Sequence, residues 1–400
     1  MIAWHSLSPH ADLAPVQERL EGGVLIHRSN GRRNCFGRWM GAIEHAAGGQ
    51  TYRFSVTCRP SGVRDALTNL HVLLTWLDAE GRPVQRDYIG RREVPGGILF
   101  SRVLPAPEGA VSARAELCFK WSETGQVAWS DAEFREAPAL AQRTCRAASA
   151  FTVLPGGKEK NLQAVLAVID QAAGAKPDIL CLGEAVLTVD TPFWESAVTI
   201  GGPEVARIGE RAQRYGMYIV VGLTLLEEGV YYNTAVLFGR GGGVEGIYRK
   251  IQLPLAEAET GYTPGDEFCV FDTDFGKVGM MICWDQGFPE IARRMAAGGA
   301  EILLVPSAWN ARIQARSRAS DNGVFVMTST PSREDTPCFI VDPFGEVIAS
   351  CAGGEAHPSG FCVAELDLGR QYKTIWYSVG DCYGEHRAVK ANERRADVLD

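Results

Sequence analysis

Up to about residue 140, apolar positions recur at every second residue. In LHVLLTW, Leu70, Val72, Leu74 and Trp76 share one face, and DAEG then turns the chain into RPVQRDYIG. ARAELCFKW alternates in the same way, with Ala113, Ala115, Leu117, Phe119 and Trp121 inward and Arg114, Glu116 and Lys120 outward. A two-residue period broken by regular turn signals predicts an antiparallel β-sandwich over residues 1–140. Five tryptophans fall here (Trp4, Trp39, Trp76, Trp121 and Trp129). Tryptophan on the inner face of a strand is ordinarily packing, so most are read as core.

DAEFREAPALAQRTC reads as a linker, and after it the pattern changes. CRAASAF is strand-like. KEKNLQAVLAVIDQAAGAK carries Leu162, Val165, Leu166 and Ile169 on one helical stripe. PDILCLGE is a buried strand, and GGPEVARIGERAQRYG opens a helix near a proline and closes it on glycine. MYIVVGLTLLEEG, YYNTAVLFGR, VEGIYRK, GKVGMMIC, FPEIARRMAAGG, AEILLVPSAW and GVFVMTST continue the strand and helix alternation. Residues 144–400 therefore form an α/β domain. The three glycines at 241–243 join two strands and open no helix, which predicts a hairpin turn and not a phosphate loop.

In that region three reactive side chains stand where an apolar strand gives way to loop. Glu184 follows DILCLG, Lys250 follows VEGIYR, and Cys283 follows GKVGMMI. Each alone has a plain reading, since charged residues normally cap strands in solvent and cysteine is a common core residue. Together they supply a base, a cation and a nucleophile, the parts of an acyl-transfer site. Open α/β sheets gather ligands at the C-terminal ends of their strands, where all three residues fall.

DILCLGE, YRKIQL and GMMICWDQGFPE, in that order, resemble the three signatures of the nitrilase superfamily of carbon–nitrogen hydrolases. YYNTAVLF, TPGDEFCVFDTDFGKVG, LLVPSAW, RASDNGVFV, IVDPFGEVIA and the closing ERRAD extend the resemblance from about residue 145 to the end. Gly183 and Ala396 stand where the family often has proline. The resemblance implies a four-layer α-β-β-α sandwich and a catalytic set of Glu184, Lys250 and Cys283. It also implies a second glutamate between lysine and cysteine. In LAEAETGYTPGD both Glu257 and Glu259 are candidates; Glu259 is favoured for its spacing to the Gly-Tyr and Pro-Gly steps, which would leave Glu257 facing solvent.

A cysteine thiol is poorly ionised at neutrality, with a free pKa of about 8.5, so it needs a base and a nearby cation. Glu184 is expected to take its proton and Lys250 to face the oxyanion, with the backbone N–H of Trp284 as a second donor. A thioester forms as Glu184 returns the proton to the leaving amine, and water activated by Glu184 then releases the acid. Trp309 is expected to line the acyl pocket. No cofactor and no metal are expected: the seven histidines are scattered, without paired ligand spacing.

CWD-x-x-FPE resembles the amidase side of the family, because nitrilases more often place glutamate where this chain has Asp285. Carbamoylases often have an arginine just past the nucleophile, which DQGFPE lacks. Amide hydrolysis leads, with carbamoyl (ureido acid) and nitrile hydrolysis behind it. A reading of another class comes from SARAELCFKWSETGQVAWSD, which resembles galactose-binding-like jelly-roll modules. It would make the protein a carbohydrate-binding or scaffolding module carrying an idle hydrolase body.

Composition changes this picture little. A net charge of −8 without a long basic run argues against nucleic-acid partners. No signal peptide is apparent at the N-terminus, and no apolar stretch approaches the ~20 residues that span a bilayer. Eleven cysteines without a C-x-x-C pair fit free thiols in the cytoplasm. The expected partners are a small amide substrate and further copies of the chain, at least a homodimer, with TIWYSVGDCYGEHR near the subunit contact.

Overall fold

A computed structural model describes residues 2–309, 311–330, 338–352 and 359–370. ERRAD, Ala396 and TIWYSVGDCYGEHR lie outside the described residues. The chain divides into two compact units, one running to Ala141 and one spanning Gln142–Arg370.

The first unit contains a five-stranded and a six-stranded antiparallel sheet. Leu70–Leu77 pairs with Ser112–Lys120, and Leu70, Val72, Leu74, Trp76, Ala113, Ala115, Leu117 and Phe119 share one core with Phe54, Val56 and Trp129 of the other sheet. The alternation thus reports the buried face of a sandwich. Trp76 and Trp129 are fully buried, and their indole N–H groups are satisfied by Asp87 Oδ2 (2.8 Å) and His27 Nδ1 (3.1 Å).

Two side chains depart from the alternation. Trp121 lies past the end of its strand, at φ 59°, and is 53% exposed. Glu116 points outward as expected but is fully buried, because Arg38, Arg86 and Arg114 close over it at 2.7, 3.8 and 3.7 Å. Guanidinium groups around a buried carboxylate offset the cost of taking it out of bulk water. The expected linker is also shorter: Gln126–Glu136 is the last strand of this unit, so Asp131–Glu136 belong to the sheet.

The second unit contains two six-stranded sheets. The first has the order Val244–Arg249, Val230–Phe238, Tyr218–Glu227, Ile179–Cys181, Thr144–Phe151, Gly360–Asp367. The second has the order Val270–Asp272, Lys277–Met280, Ile302–Pro306, Phe325–Ser329, Cys338–Val341, Val347–Cys351. They pack face to face. Helices Lys158–Ala173 and Pro203–Tyr215 cover one outer face, and Pro289–Ala297 and Arg312–Asn322 cover the other. This is the layering α-β-β-α.

Helix Lys158–Ala173 buries Leu162, Val165, Leu166 and Ile169, the stripe expected of it. Each such side chain contributes roughly 1.5–3 kcal/mol when removed from water. Pro203 begins the next helix at its first turn, and Gly216 ends it in the left-handed conformation, at φ 61°. Gly241–Gly243 form the turn between two antiparallel strands, as predicted.

Ile179–Cys181 and Tyr218–Glu227 run parallel, and so do Lys277–Met280 and Ile302–Pro306. Val244–Arg249 follows two antiparallel reversals and so regains the direction of Tyr218–Glu227. Glu184, Lys250, Cys283 and Ser307 therefore all follow strand ends. No helix among the described residues is long and apolar enough to cross a membrane.

Candidate active site

The turn that carries Cys283 is built by its neighbour Asp285. Met281 still donates its N–H to Leu304 of the adjacent strand (3.1 Å), but the next N–H, on Ile282, goes to Asp285 Oδ2 (2.9 Å). That captured donor ends the ladder, so the strand stops at Met280 and not at the thiol. Cys283 opens a short 3-10 turn, Cys283–Gly287, with φ 45°. A non-glycine residue in the left-handed region costs on the order of 1–3 kcal/mol and persists only where its surroundings enforce it. The enforcement here is the Asp285 N–H to Ile282 carbonyl bond (2.9 Å) and the Gln286 side chain donating to the Cys283 carbonyl (3.2 Å).

Glu184 is positioned by a similar device. Ala185 has φ 46°, and the carbonyl of Gly183 accepts the N–H of Gly222 (2.9 Å). A Cβ at position 222 would lie 2.4 Å from the Glu184 Cα, so only glycine lets the two backbones approach this closely. The N–H of Glu184 reaches the carbonyl of Ser307 in the other sheet (3.3 Å).

The side chains converge on Lys250, which is 1% exposed. Its Nζ donates to Glu184 Oε1 at 2.8 Å and to Glu257 Oε1 at 2.6 Å. The amide of Asn233 spans the same two carboxylates, donating to Glu184 Oε1 (2.8 Å) and Glu257 Oε2 (3.1 Å). Lys250 has three ammonium protons, so one remains beyond these two bonds. Glu184 Oε2 is buried and makes no hydrogen bond among the described residues.

The two candidates for the second glutamate are placed differently. Both candidates lie on the helix Leu255–Thr260, and residues two apart on a helix do not share a face. Glu257 turns toward Lys250, whereas Glu259 is exposed to solvent.

The electrostatics describe a resting site with a protonated thiol. Burial first, then the Glu184 carboxylate, pushes the Cys283 thiol up to about 12. Lys250, the N–H of Ala308 and the hydroxyl of Ser307 pull the other way without prevailing. Burial works against the charge of Lys250, yet Glu184, Cys283 and Glu257 outweigh it and raise its pKa. With Glu184 and Glu257 ionised and Lys250 charged, the group carries −1. Loss of the thiol proton to water would make it −2 in a desolvated site. Transfer of that proton to Glu184 leaves it at −1. Internal proton transfer is therefore the cheaper route to the thiolate.

Asp285 joins the Cys283 turn to the strand that ends beside Lys250. Its Oδ2 also accepts the hydroxyl of Tyr248 (2.7 Å), and its Oδ1 accepts the N–H of Gln252 (2.8 Å). It is fully buried, and burial raises its carboxyl to about 6 against the opposing pull of these donors and of Lys250.

Trp284 is 43% exposed, and its ring lies 5.9 Å from that of Trp309 and 6.4 Å from that of Phe288. Near Glu257, Tyr262 gives its N–H to the Glu257 carbonyl (3.4 Å) and packs its ring on Phe193 (4.6 Å), which also meets Tyr231. The sequence reading gives no role to Asn233, Tyr248, Ser307 or Tyr262. Asn233 left one signal, a polar residue in the otherwise apolar YYNTAVLF.

The chain matches the family model for Carbon-nitrogen hydrolase over residues 144–375. It is 34% identical over 237 residues to Omega-amidase NIT2-A of Xenopus laevis, covering 53% of this chain and 84% of that protein. It is 35% identical over 188 residues to Omega-amidase NIT2 of Homo sapiens, covering 41% and 68%. Among solved structures, Saccharomyces cerevisiae Nit3, a member of branch 10 of the nitrilase superfamily, superposes with a TM-score of 0.50 at 27% identity, covering 58% of this chain and 92% of that one. An amidase from Nesterenkonia sp. shares the fold, with a TM-score of 0.50 at 23% identity over 58% and 94% of the two chains. The chain belongs to the carbon–nitrogen hydrolase family, the nitrilase superfamily, and is an amidase-like hydrolase of carbon–nitrogen bonds.

Proposed function

We propose that Cys283 is the nucleophile of this amidase, Glu184 its proton shuttle, Lys250 its oxyanion stabiliser and Glu257 the second carboxylate that holds Lys250. The observation that carries this reading is the shared bonding of Lys250 to Glu184 and Glu257 beside a thiol raised to about 12. Glu184 Oε2, without a hydrogen bond among the described residues, takes the Sγ proton as sulfur attacks the amide carbon. The third ammonium proton of Lys250 meets the oxyanion, joined by the N–H of Trp284. Collapse expels the amine with the proton Glu184 holds and leaves an acyl thioester. Water that gives a proton to Glu184 then attacks the thioester, and the acid and the Cys283 thiol are restored.

The substrate proposed is a small molecule ending in an amide, a class supported by the omega-amidase names of the relatives. Trp284 and Trp309 border its acyl chain. The amide reading stands over carbamoyl and nitrile hydrolysis and over the idle-body alternative. The first unit is proposed as a separately folding, jelly-roll-like accessory domain of the galactose-binding-like kind, which modulates the hydrolase without supplying its chemistry. A homo-oligomer in the cytoplasm completes the proposal.

The test is ammonia release from a panel of terminal amides, ureido acids and nitriles, repeated with hydroxylamine to intercept the acyl-enzyme. Amides should give both ammonia and hydroxamates. Ammonia from nitriles or ureido acids alone, or no hydroxamate from any turned-over amide, would overturn the reading.

A further inference from the structure

Two cysteines away from the Cys283 turn face each other across a sheet edge. Cys338 and Cys351 are directly opposed on the antiparallel strands Cys338–Val341 and Val347–Cys351, and the latter is the outermost strand of its sheet. Opposed residues in such a pair have Cα atoms about 4.5–5.5 Å apart and side chains on one face. A disulfide spans about 4.4–6.8 Å between Cα atoms, so no backbone movement is needed to join them. The two thiols are close enough to perturb each other's ionisation, and the Cys351 Sγ lies 3.5 Å from the Ala352 carbonyl. Cys338 is fully buried, whereas Cys351 is only half-buried. Space for the Cys351 sulfur is kept by Gly360, where an added Cβ would lie 3.0 Å from Sγ.

We propose that Cys351 and Cys338 form a redox-active dithiol, a modification site separate from the Glu184–Lys250–Cys283 centre, which a hydroperoxide converts to a disulfide. The exposed sulfur meets the oxidant first. The Cys351 thiolate attacks the distal peroxide oxygen, the O–O bond breaks, and Cys351 becomes a sulfenic acid as alkoxide or hydroxide leaves and takes up a proton. The Cys338 sulfur then attacks the sulfenic sulfur. An S–S bond forms, the S–O bond breaks, and the Cys338 proton departs with the hydroxyl as water. Two thiols lose two electrons and two protons, and one peroxide is reduced. The neighbouring Cys338 lowers the Cys351 thiol to about 7 against the cost of its partial burial. Its larger thiolate fraction outweighs its weaker intrinsic nucleophilicity, a net gain of roughly threefold over an ordinary thiol at neutral pH. Cys362 also touches Cys338, with its Sγ 3.9 Å from the Cys338 carbonyl, but it is buried and lies on a strand of the other sheet.

The full-length protein is treated with one equivalent of hydrogen peroxide at neutral pH and mapped by peptide mass. The expected product has lost two hydrogens, contains a linked Cys338–Cys351 peptide, and reverts with dithiothreitol. Cys351→Ser should abolish that product. Cys338→Ser should instead leave a Cys351 sulfenic acid that dimedone traps, and this holds the proposal to account if the first variant folds poorly. Oxidation of Cys351 to sulfinic acid without a link would overturn the proposal. So would a link between Cys338 and Cys362, or labelling of wild-type Cys351 no faster than that of the half-buried Cys269.

Discussion

Asp285 accepts the hydroxyl of Tyr248 at 2.7 Å, and this bond fixes the Cys283 turn to the strand that delivers Lys250. The same carboxylate holds the N–H groups of Ile282 and Gln252, so one buried side chain sets the separation of thiol and ammonium. Its three bonds all require an acceptor. Protonation, or an amide in its place, turns one of those acceptor positions into a donor.

Asp285→Asn is expected to lower kcat/KM by about 100-fold, because misplacing reacting groups by an ångström costs on that order. Wild-type activity should also fall as pH drops through about 6, where Asp285 takes up a proton. The variant should lack that limb. The stability sign is the opposite of the usual carboxylate case. A folded pKa raised above 3.8 contributes stability that is fully present below the unfolded value and is lost as pH rises through about 6. Wild type should therefore gain thermal stability relative to Asp285→Asn as pH falls from 6 to 4. Profiles of kcat/KM and melting temperature against pH check both statements, and parallel profiles in the two proteins would reject them.

Glu257→Gln should cost about 100-fold in kcat, since it removes a charged acceptor from a buried ammonium. Glu259→Gln should stay within about twofold of wild type, because its side chain is exposed. Steady-state kinetics of the two variants, two residues apart in sequence, distinguish the candidates directly. Equal losses would return the assignment to open question.

Cys283 should behave as a thiol whose ionisation depends on Glu184. Chloroacetamide alkylation of Cys283 at pH 7 is expected to slow about 100-fold in Glu184→Gln, and Cys283→Ala should abolish hydrolysis while the fold is kept. Lys250→Arg should fail nearly as badly as Lys250→Ala, because a planar fork cannot replace a compact ammonium between two carboxylates. Alkylation that is unchanged in Glu184→Gln would mean the thiolate pre-exists, against the raised thiol described above.

A fragment of residues 1–141 is expected to unfold in one cooperative transition with a β-type circular dichroism spectrum, because its strands bury their own core of Phe54, Trp76, Phe119 and Trp129. A non-cooperative melt would show that this unit needs the rest of the chain.

The sequence by itself determined the alternation of a sandwich followed by an α/β unit, the strand-end placement of Glu184, Lys250 and Cys283, and the hairpin at Gly241–Gly243. These are local or periodic properties. A two-residue period has one buried face, and a polar residue after an apolar run marks a strand end wherever the strand lies. Tertiary structure decided what depends on partners distant in the chain. Glu257 rather than Glu259 meets Lys250 because helix Leu255–Thr260 docks on one face, which no count of residues to a glycine reveals. Glu116 is buried because three arginines from three strands converge on it, and Trp121 is exposed because the strand stops one residue before it. Cys283 stands off its strand because Asp285, two positions later, takes an N–H that the ladder would otherwise have used. Side-chain capture of backbone groups and the docking of one element on another are set by three-dimensional neighbours, and periodicity carries no record of them.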